Sequence, residues 1–313
     1  MESIHLLMAS DDNYAQHMGV AIVSILKNKK NNHSIIFHIL DGGISEINKN
    51  KIKKIIEDGN QKICFYKIED EKINSFPEIG YLSKATYYRL LITEILPDTI
   101  NKVLYIDCDI VVLNDLYNLY NHDLNNRPIA AVKDIKSEEI LRIYFYPKLL
   151  NSYFNAGVLL INLKYWRQNN VLPKFIDFIN KYHAQLIAPD QDILNCIFKN
   201  NWIELEPKFN VDLKHESHNA MPKKNTVILH YSDKIKPWSY LYYGKNKKYY
   251  FDYLAISPWS NFKYPNKNLK NIIKKPKLII IKYLKNKIRP ITPIKILDIY
   301  KRYMLTTIKR SSK

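Results

Sequence analysis

The first half of the chain alternates between two hydrophobic periods. "SIHLLMAS" (3–10) is an apolar run of strand length. "YAQHMGVAIVSILKNKK" (14–30) repeats its apolar positions at helical spacing and ends in a basic turn. "HSIIFHILDGG" (33–43) predicts a second strand closed by Gly42 and Gly43. "SEINKNKIKKIIEDG" (45–59) predicts a second helix with Gly59 past its end, and "QKICFYKI" (61–68) a third strand. "SKATYYRLLITEIL" (83–96) predicts a helix stopped by Pro97, after which "KVLYIDCDIVVL" (102–113) returns as a strand. Strands alternating with helices imply an α/β fold, with a largely parallel sheet covered on both faces.

The second half is less regular. It runs through "RPIAAVKD" and "FNAGVLLINLKYW", a helix near 171–186 and "PDQDILNCIFKN", after which "TVILHYSDKIKPW" forms a late strand and loop. Composition changes after "SPWSNF", which places a boundary near residue 262. Residues 1–262 then form the main domain, with 240–262 a short extension, and 263–313 a tail.

One stretch violates the pattern. "VLYIDCDIVVL" (103–113) reads as a single buried strand, yet it carries Asp107 and Asp109 in its middle. Burying an unpaired carboxylate costs several kcal/mol. In an extended strand residues i and i+2 share a face, so the two carboxylates can converge on one cation while Cys108 points away. An oxygen-rich pair suits Mg²⁺ or Mn²⁺, ions that keep positions open for substrate phosphates. Asp11 and Asp12, at the end of the first strand, gather at the same carboxyl edge, where ligands of such sheets bind. The chain has neither GxGxxG nor GxxxxGK[ST]. A strand followed by DxD also resembles the nucleophile motif of haloacid-dehalogenase-type phosphatases, but the later acidic motif and lysine that this reading needs have no candidate here.

Six segments in order, "ASDDNY" (9–14), "ATYYRL" (85–90), "YIDCDIVV" (105–112), "YFNAGVLLINL" (153–163), "DQDILN" (190–195) and "HYSDKIKPW" (230–238), together resemble glycosyltransferase family 8. The resemblance spans roughly residues 4–262. "ISPWSNF" (256–262) is similar to the extension of lipopolysaccharide core glucosyl- and galactosyltransferases. It implies a Rossmann-like GT-A fold and a retaining transfer of glucose or galactose from a UDP-hexose to a lipopolysaccharide or lipooligosaccharide acceptor, assisted by Mn²⁺ or, alternatively, Mg²⁺. Residue by residue, it implies Asp107, Asp109 and His230 as metal ligands. It places Ala9, Asp11, Asn13 and Tyr14 at the uridine, and Cys108 among the donor-binding residues. Arg89, Asp134, Asn155 and Ala156 fall at the donor sugar or diphosphate, Asp190 and Gln191 near the sugar hydroxyls and anomeric carbon, and Lys236 at the diphosphate. The family usually has Gly where this chain has Asp233. The expectation is that this carboxylate turns outward while the backbone turn survives.

Composition narrows the setting. The chain has 313 residues and a formal net charge of +18, but residues 263–313 alone hold 16 Lys and Arg against one acid, Asp298. The other 262 residues hold 32 basic and 29 acidic side chains. The tail interleaves its cations with Ile, Leu, Tyr and Met, and Leu297, Tyr300, Met304 and Ile308 fall at helical spacing. A basic amphipathic helix suits an anionic membrane surface, and a lipid-linked oligosaccharide acceptor would lie there. Nucleic-acid binding through the tail and a non-catalytic sugar-nucleotide module are the alternative classes, with no nucleic-acid partner expected. Three scattered cysteines (Cys64, Cys108, Cys196) without CxxC spacing fit reduced thiols. "MESIHLLMASDDNY" lacks a basic n-region and reads as a first strand. The expected location is therefore the cytoplasm, peripheral to the inner face of the bacterial cytoplasmic membrane.

Overall fold

Most of the apolar runs become the strands of a seven-stranded mixed sheet. The computed structural model describes residues 3–30, 33–68, 84–134, 153–183, 186, 188–213 and 221–288. Strands β1 (Ile4–Ser10), β2 (Ile35–Asp41), β3 (Lys62–Lys67), β4 (Lys102–Ile106), β6 (Ile129–Lys133), β7 (Phe154–Asn162) and β8 (Ile203–Leu205) lie in the order β3-β2-β1-β4-β7-β6-β8. β1 is parallel to β2 and β4, β2 to β3, and β6 to β8. β7 runs antiparallel to both its neighbours, β4 and β6. Its sequence, apolar apart from Asn155, Gly157 and the terminal Asn162, is buried from Phe154 through Ile161, as expected of a strand covered on both faces. The architecture is α/β with a mainly parallel sheet flanked by helices, as the sequence predicts.

A second, three-stranded sheet is built from β5 (Ile110–Val112), β9 (Val211–Asp212) and β10 (Ile228–His230). Here the sequence reading needs correction. "VLYIDCDIVVL" is not one strand: β4 ends at Ile106, β5 begins at Ile110, and each belongs to a different sheet. Asp107 and Asp109 sit in the break, with side chains 24% and 12% exposed. They stand at the sheet edge rather than within a core strand, and the burial penalty that remains on Asp109 is offset by Lys236 and His230.

Helix Asp12–Asn28 starts at Asp11, whose carboxylate accepts from the Tyr14 N–H at 3.0 Å. The segment predicted as a helix over 83–96 is instead a 3₁₀ turn, Lys84–Leu90, followed by a single turn at Ile92–Ile95. Tyr87, Tyr88 and Arg89 are all buried there, a load that one face of a regular helix would not carry. Helix Val171–Tyr182 ends earlier than the predicted 171–186.

The chain divides into two compact units, one of residues 1–236 and 244–262 and the other of 237–243 and 263–313. Within the second, helix Leu269–Ile288 exposes Leu269, Ile272, Ile273, Ile279 and Ile280, while Lys275 lies over the Tyr240 ring at 4.5 Å. Leu297, Tyr300, Met304 and Ile308, the tail positions at helical spacing, lie outside the described residues. Among the described residues no helix is long and apolar enough to cross a membrane.

Candidate active site

Parallel pairing puts the ends of β1 and β4 at one edge, and the antiparallel β7 brings its first residues to the same place. The break at 107–109 is pinned from two sides. The Asp107 N–H donates to the Gly157 carbonyl, and the Tyr231 N–H donates to the Asp109 carbonyl, both at 2.9 Å. The buried Cys108 thiol donates to the Ala9 carbonyl at 3.1 Å. It tethers the break to the end of β1.

The antiparallel register His230↔Ile110 delivers the imidazole to the carboxylates. His230 Nε2 lies 3.3 Å from Asp109 Oδ1 and 3.8 Å from Asp107 Oδ2. One ligand atom from each of the three residues falls within 4.8 Å of the others. Two carboxylates and an imidazole form a donor set that accepts Mn²⁺ well and Mg²⁺ through its oxygens. Gly157 forms the floor of this cradle. A Cβ there would stand 2.3 Å from His230 Cε1 and 2.8 Å from Asp107 Oδ2, so the ligands close only over a glycine.

The surrounding charges are paired. Asp107 accepts from Arg89 Nη2 at 2.8 Å and from the Tyr105 hydroxyl at 2.7 Å. Arg89, 7% exposed, also meets Asp190 Oδ2 at 3.0 Å and the Ala156 carbonyl at 2.7 Å, with its guanidinium 4.2 Å above the Tyr105 ring. Burial disfavours its charge, but Asp107 and Asp190 overcome that and hold it protonated. Asp190 is the member of this set that yields: burial lifts its carboxyl to about 6 against the pull of Arg89. Burial would also raise Asp109, yet the Lys236 ammonium, 2.6 Å away, and His230 hold it below the usual carboxylate range. The same carboxylate keeps Lys236 and His230 above their ordinary values despite burial. With His230 neutral, as a metal ligand must be, three carboxylates face only Arg89 and Lys236, a balance that admits a divalent ion.

The other predicted residues gather at this edge. Gln191, in helix Pro189–Ile197, accepts from the Ala156 N–H at 2.9 Å and donates to Asp134 at 3.4 Å. Asn155 accepts from the Gly157 N–H at 2.9 Å. Ala9 is the next-to-last residue of β1, and burial raises the hydroxyl of Tyr14, in the first turn of its helix, with Lys236 opposing and Asp109 adding to the shift. Asn13 Nδ2 is 3.5 Å from Asp11. Asp12 is not drawn into this group; it accepts from the Ser45 N–H and Asn48 Nδ2, both at 2.8 Å, and so ties two helices together. The Asp233 carboxylate accepts from the Lys234 N–H at 2.7 Å, and its backbone does not use a positive φ. Asn210 was not anticipated from sequence. It lies just before β9 and contacts both Asn155 and His230. Nothing in "KFNVD" marks it, because its partners come from β7 and β10.

The sequence profile of glycosyl transferase family 8 matches residues 5–242. General stress protein A of Bacillus subtilis is 30% identical over 279 residues, covering 84% of this chain and 97% of the relative. Lipopolysaccharide 1,2-glucosyltransferase of Escherichia coli K12 is 29% identical over 272 residues, 83% of this chain and 80% of the relative. The crystal structure of galactosyltransferase LgtC in complex with donor and acceptor sugar analogs superposes with a TM-score of 0.72 at 29% identity, covering 82% of this chain and 96% of that one.

Proposed function

Because the chain belongs to glycosyl transferase family 8, we propose that it is a UDP-hexose-dependent retaining transferase that adds α-glucose or α-galactose to a lipopolysaccharide or lipooligosaccharide core. The observation that carries this reading is the convergence of Asp107, Asp109 and His230 at the edge of the sheet. The lipopolysaccharide 1,2-glucosyltransferase activity of the Escherichia coli relative supports this acceptor class. Glucose and galactose are named by different relatives, and both donors belong to the proposal.

Asp107, Asp109 and His230 would hold Mn²⁺, with Mg²⁺ the alternative. The ion would supply Lewis-acid neutralisation of a diphosphate. The chain supplies the rest. Lys236, already held cationic beside Asp109, can offset charge that grows on the departing UDP. Ala9, Asp11, Asn13 and Tyr14 would hold the uridine. Arg89, Asp134, Asn155, Ala156 and Asp190 would orient the diphosphate and sugar. Gln191 would face the sugar ring, but its amide oxygen is engaged by the Ala156 N–H, and an amide is a poor nucleophile. Asp107 and Asp109 would hold one shared cation instead of flanking a scissile bond, unlike the carboxylates of a retaining hydrolase. A same-face route is therefore favoured, with the attacking hydroxyl giving its proton to the leaving phosphate.

We assign catalysis to residues 1–262 and attachment to the inner face of the cytoplasmic membrane to the basic tail, 263–313. The exposed isoleucines beside Lys270, Lys274 and Lys277 support that division. UDP release and product mass from a panel of UDP-sugars, with Mn²⁺ and a core oligosaccharide, test the function. Transfer of one hexose with α configuration is expected. An inverted product, or no turnover of any UDP-hexose, would refute it.

A further inference from the structure

Three buried hydrogen bonds run from a backbone amide to the imidazole of His230, and together they leave one consistent arrangement of protons. The Gly157 N–H can only donate, and it points at the Asn155 carboxamide at 2.9 Å. That contact fixes Asn155 with its oxygen facing Gly157, since the NH₂ would oppose another donor. The same oxygen lies 2.8 Å from Asn210 Nδ2. Asn210 is thereby forced to present its NH₂ to Asn155 and its oxygen to His230 Nδ1, 3.0 Å away. An amide oxygen accepts only, so Nδ1 carries the proton. In the neutral ring the lone pair then belongs to Nε2, the nitrogen that faces Asp109 and Asp107. Asn155, Asn210 and His230 are 8%, 4% and 3% exposed, so bulk water offers little substitute for any link.

We propose that Asn210 is a positioning residue for the cation site: through Asn155 and the Gly157 amide, it fixes the His230 tautomer that offers Nε2 as a ligand. This rests on the reading of Asp107, Asp109 and His230 as a cation site. It adds a residue from outside the recognised motifs and gives Asn155 a second task, since its oxygen is committed to the chain of bonds and only its NH₂ remains for a ligand. Outer partners that orient a ligating histidine typically change metal affinity about 10–100-fold when removed. The link also joins the strand that begins the donor pocket to the metal ligand. A shift of Asn155 on donor binding would therefore reach His230 through two side chains.

The competing arrangement is concrete. With Asn210 gone, the Asp109 carboxylate, 3.3 Å from Nε2, would draw the proton to that nitrogen and remove the lone pair from the site. Nitrogen-15 shifts of the His230 ring distinguish the two tautomers in metal-free, full-length protein at a pH where the ring is neutral. The signals are assigned by their loss in His230→Gln. Mn²⁺ dissociation constants come from electron paramagnetic resonance of the free ion. The wild type is expected to carry the proton on Nδ1. Asn210→Leu and Asn155→Leu, checked for folding by circular dichroism, are expected to move it toward Nε2 and to weaken Mn²⁺ about 10–100-fold. Asn155→Asp keeps both accepting contacts and should hold the wild-type tautomer. The proposal is overturned if the wild-type proton sits on Nε2, or if both leucine variants bind Mn²⁺ within about twofold of wild type. If the wild type binds no Mn²⁺, the cation-site reading fails on that measurement alone, and the tautomer result still decides the role of Asn210.

Discussion

At Gly157 a single missing methyl lets three ligands meet. Its would-be Cβ collides with both the His230 ring and the Asp107 carboxylate, and neither can retreat: His230 is bonded to Asn210, and Asp107 to Arg89 and Tyr105. Gly157→Ala should weaken Mn²⁺ by about tenfold or more, with transfer falling in step. A variant with wild-type affinity and activity would remove the cradle from the account. Other residues act on stability alone. His38, 2% exposed, stacks on His5 and contacts the Tyr66 hydroxyl at 2.9 Å. Burial, helped by the nearby His5, holds its imidazole down to about 4. In the unfolded chain it titrates near 6.5, so between those values the unfolded state binds the extra proton. Its contribution is complete above about pH 6.5 and is lost as pH falls toward 4, by at most about 3 kcal/mol. Urea unfolding across that range should show a shallower pH slope for His38→Gln than for wild type. Equal slopes would assign the acid sensitivity elsewhere.

Among the elements, the break between β4 and β5 decides the site. The convergence of Asp107 and Asp109 with a partner was legible because two carboxylates in an apolar run demand one. Its geometry was not legible, since "VLYI" and "IVVL" have the same period and only pairing with β7 and β10 separates them into two sheets. The 3₁₀ turn Lys84–Leu90 was hidden for a similar reason, its residues serving tertiary burial over local preference. Asn210 depends on two partners more than 15 residues away and carried no local signal. Packing between elements also makes a prediction outside the site. Trp259 of the extension lies against Gly19 in helix Asp12–Asn28, where a Cβ would stand 2.2 Å from the indole. Gly19→Ala should therefore cost about 1–3 kcal/mol by urea unfolding. Adding Trp259→Leu should make the pair less destabilising than the sum of the two single changes. Strict additivity would mean that the contact is loose.

For the whole molecule, charge is the dividing property. A nearly neutral body and a tail with 16 cations would suit the proposed attachment to an anionic membrane surface. Each Lys or Arg near an anionic leaflet contributes about 1 kcal/mol, a contribution that salt screens. The full chain should float with vesicles containing phosphatidylglycerol, stay behind with neutral vesicles, and release as salt rises. Lys270→Glu/Lys274→Glu/Lys277→Glu should weaken flotation without lowering transfer to a soluble acceptor. Retention on nucleic acid in preference to such vesicles at matched salt would contradict the membrane assignment.

The central claim is sugar transfer at a cation site formed by Asp107, Asp109 and His230. Its most direct test is UDP release from UDP-glucose and UDP-galactose with Mn²⁺ and after chelation, for wild type and Asp109→Asn. Mn²⁺-dependent release by the wild type with at least one donor is expected, with a loss of about 100-fold or more in Asp109→Asn. Release that survives both chelation and the substitution would contradict it.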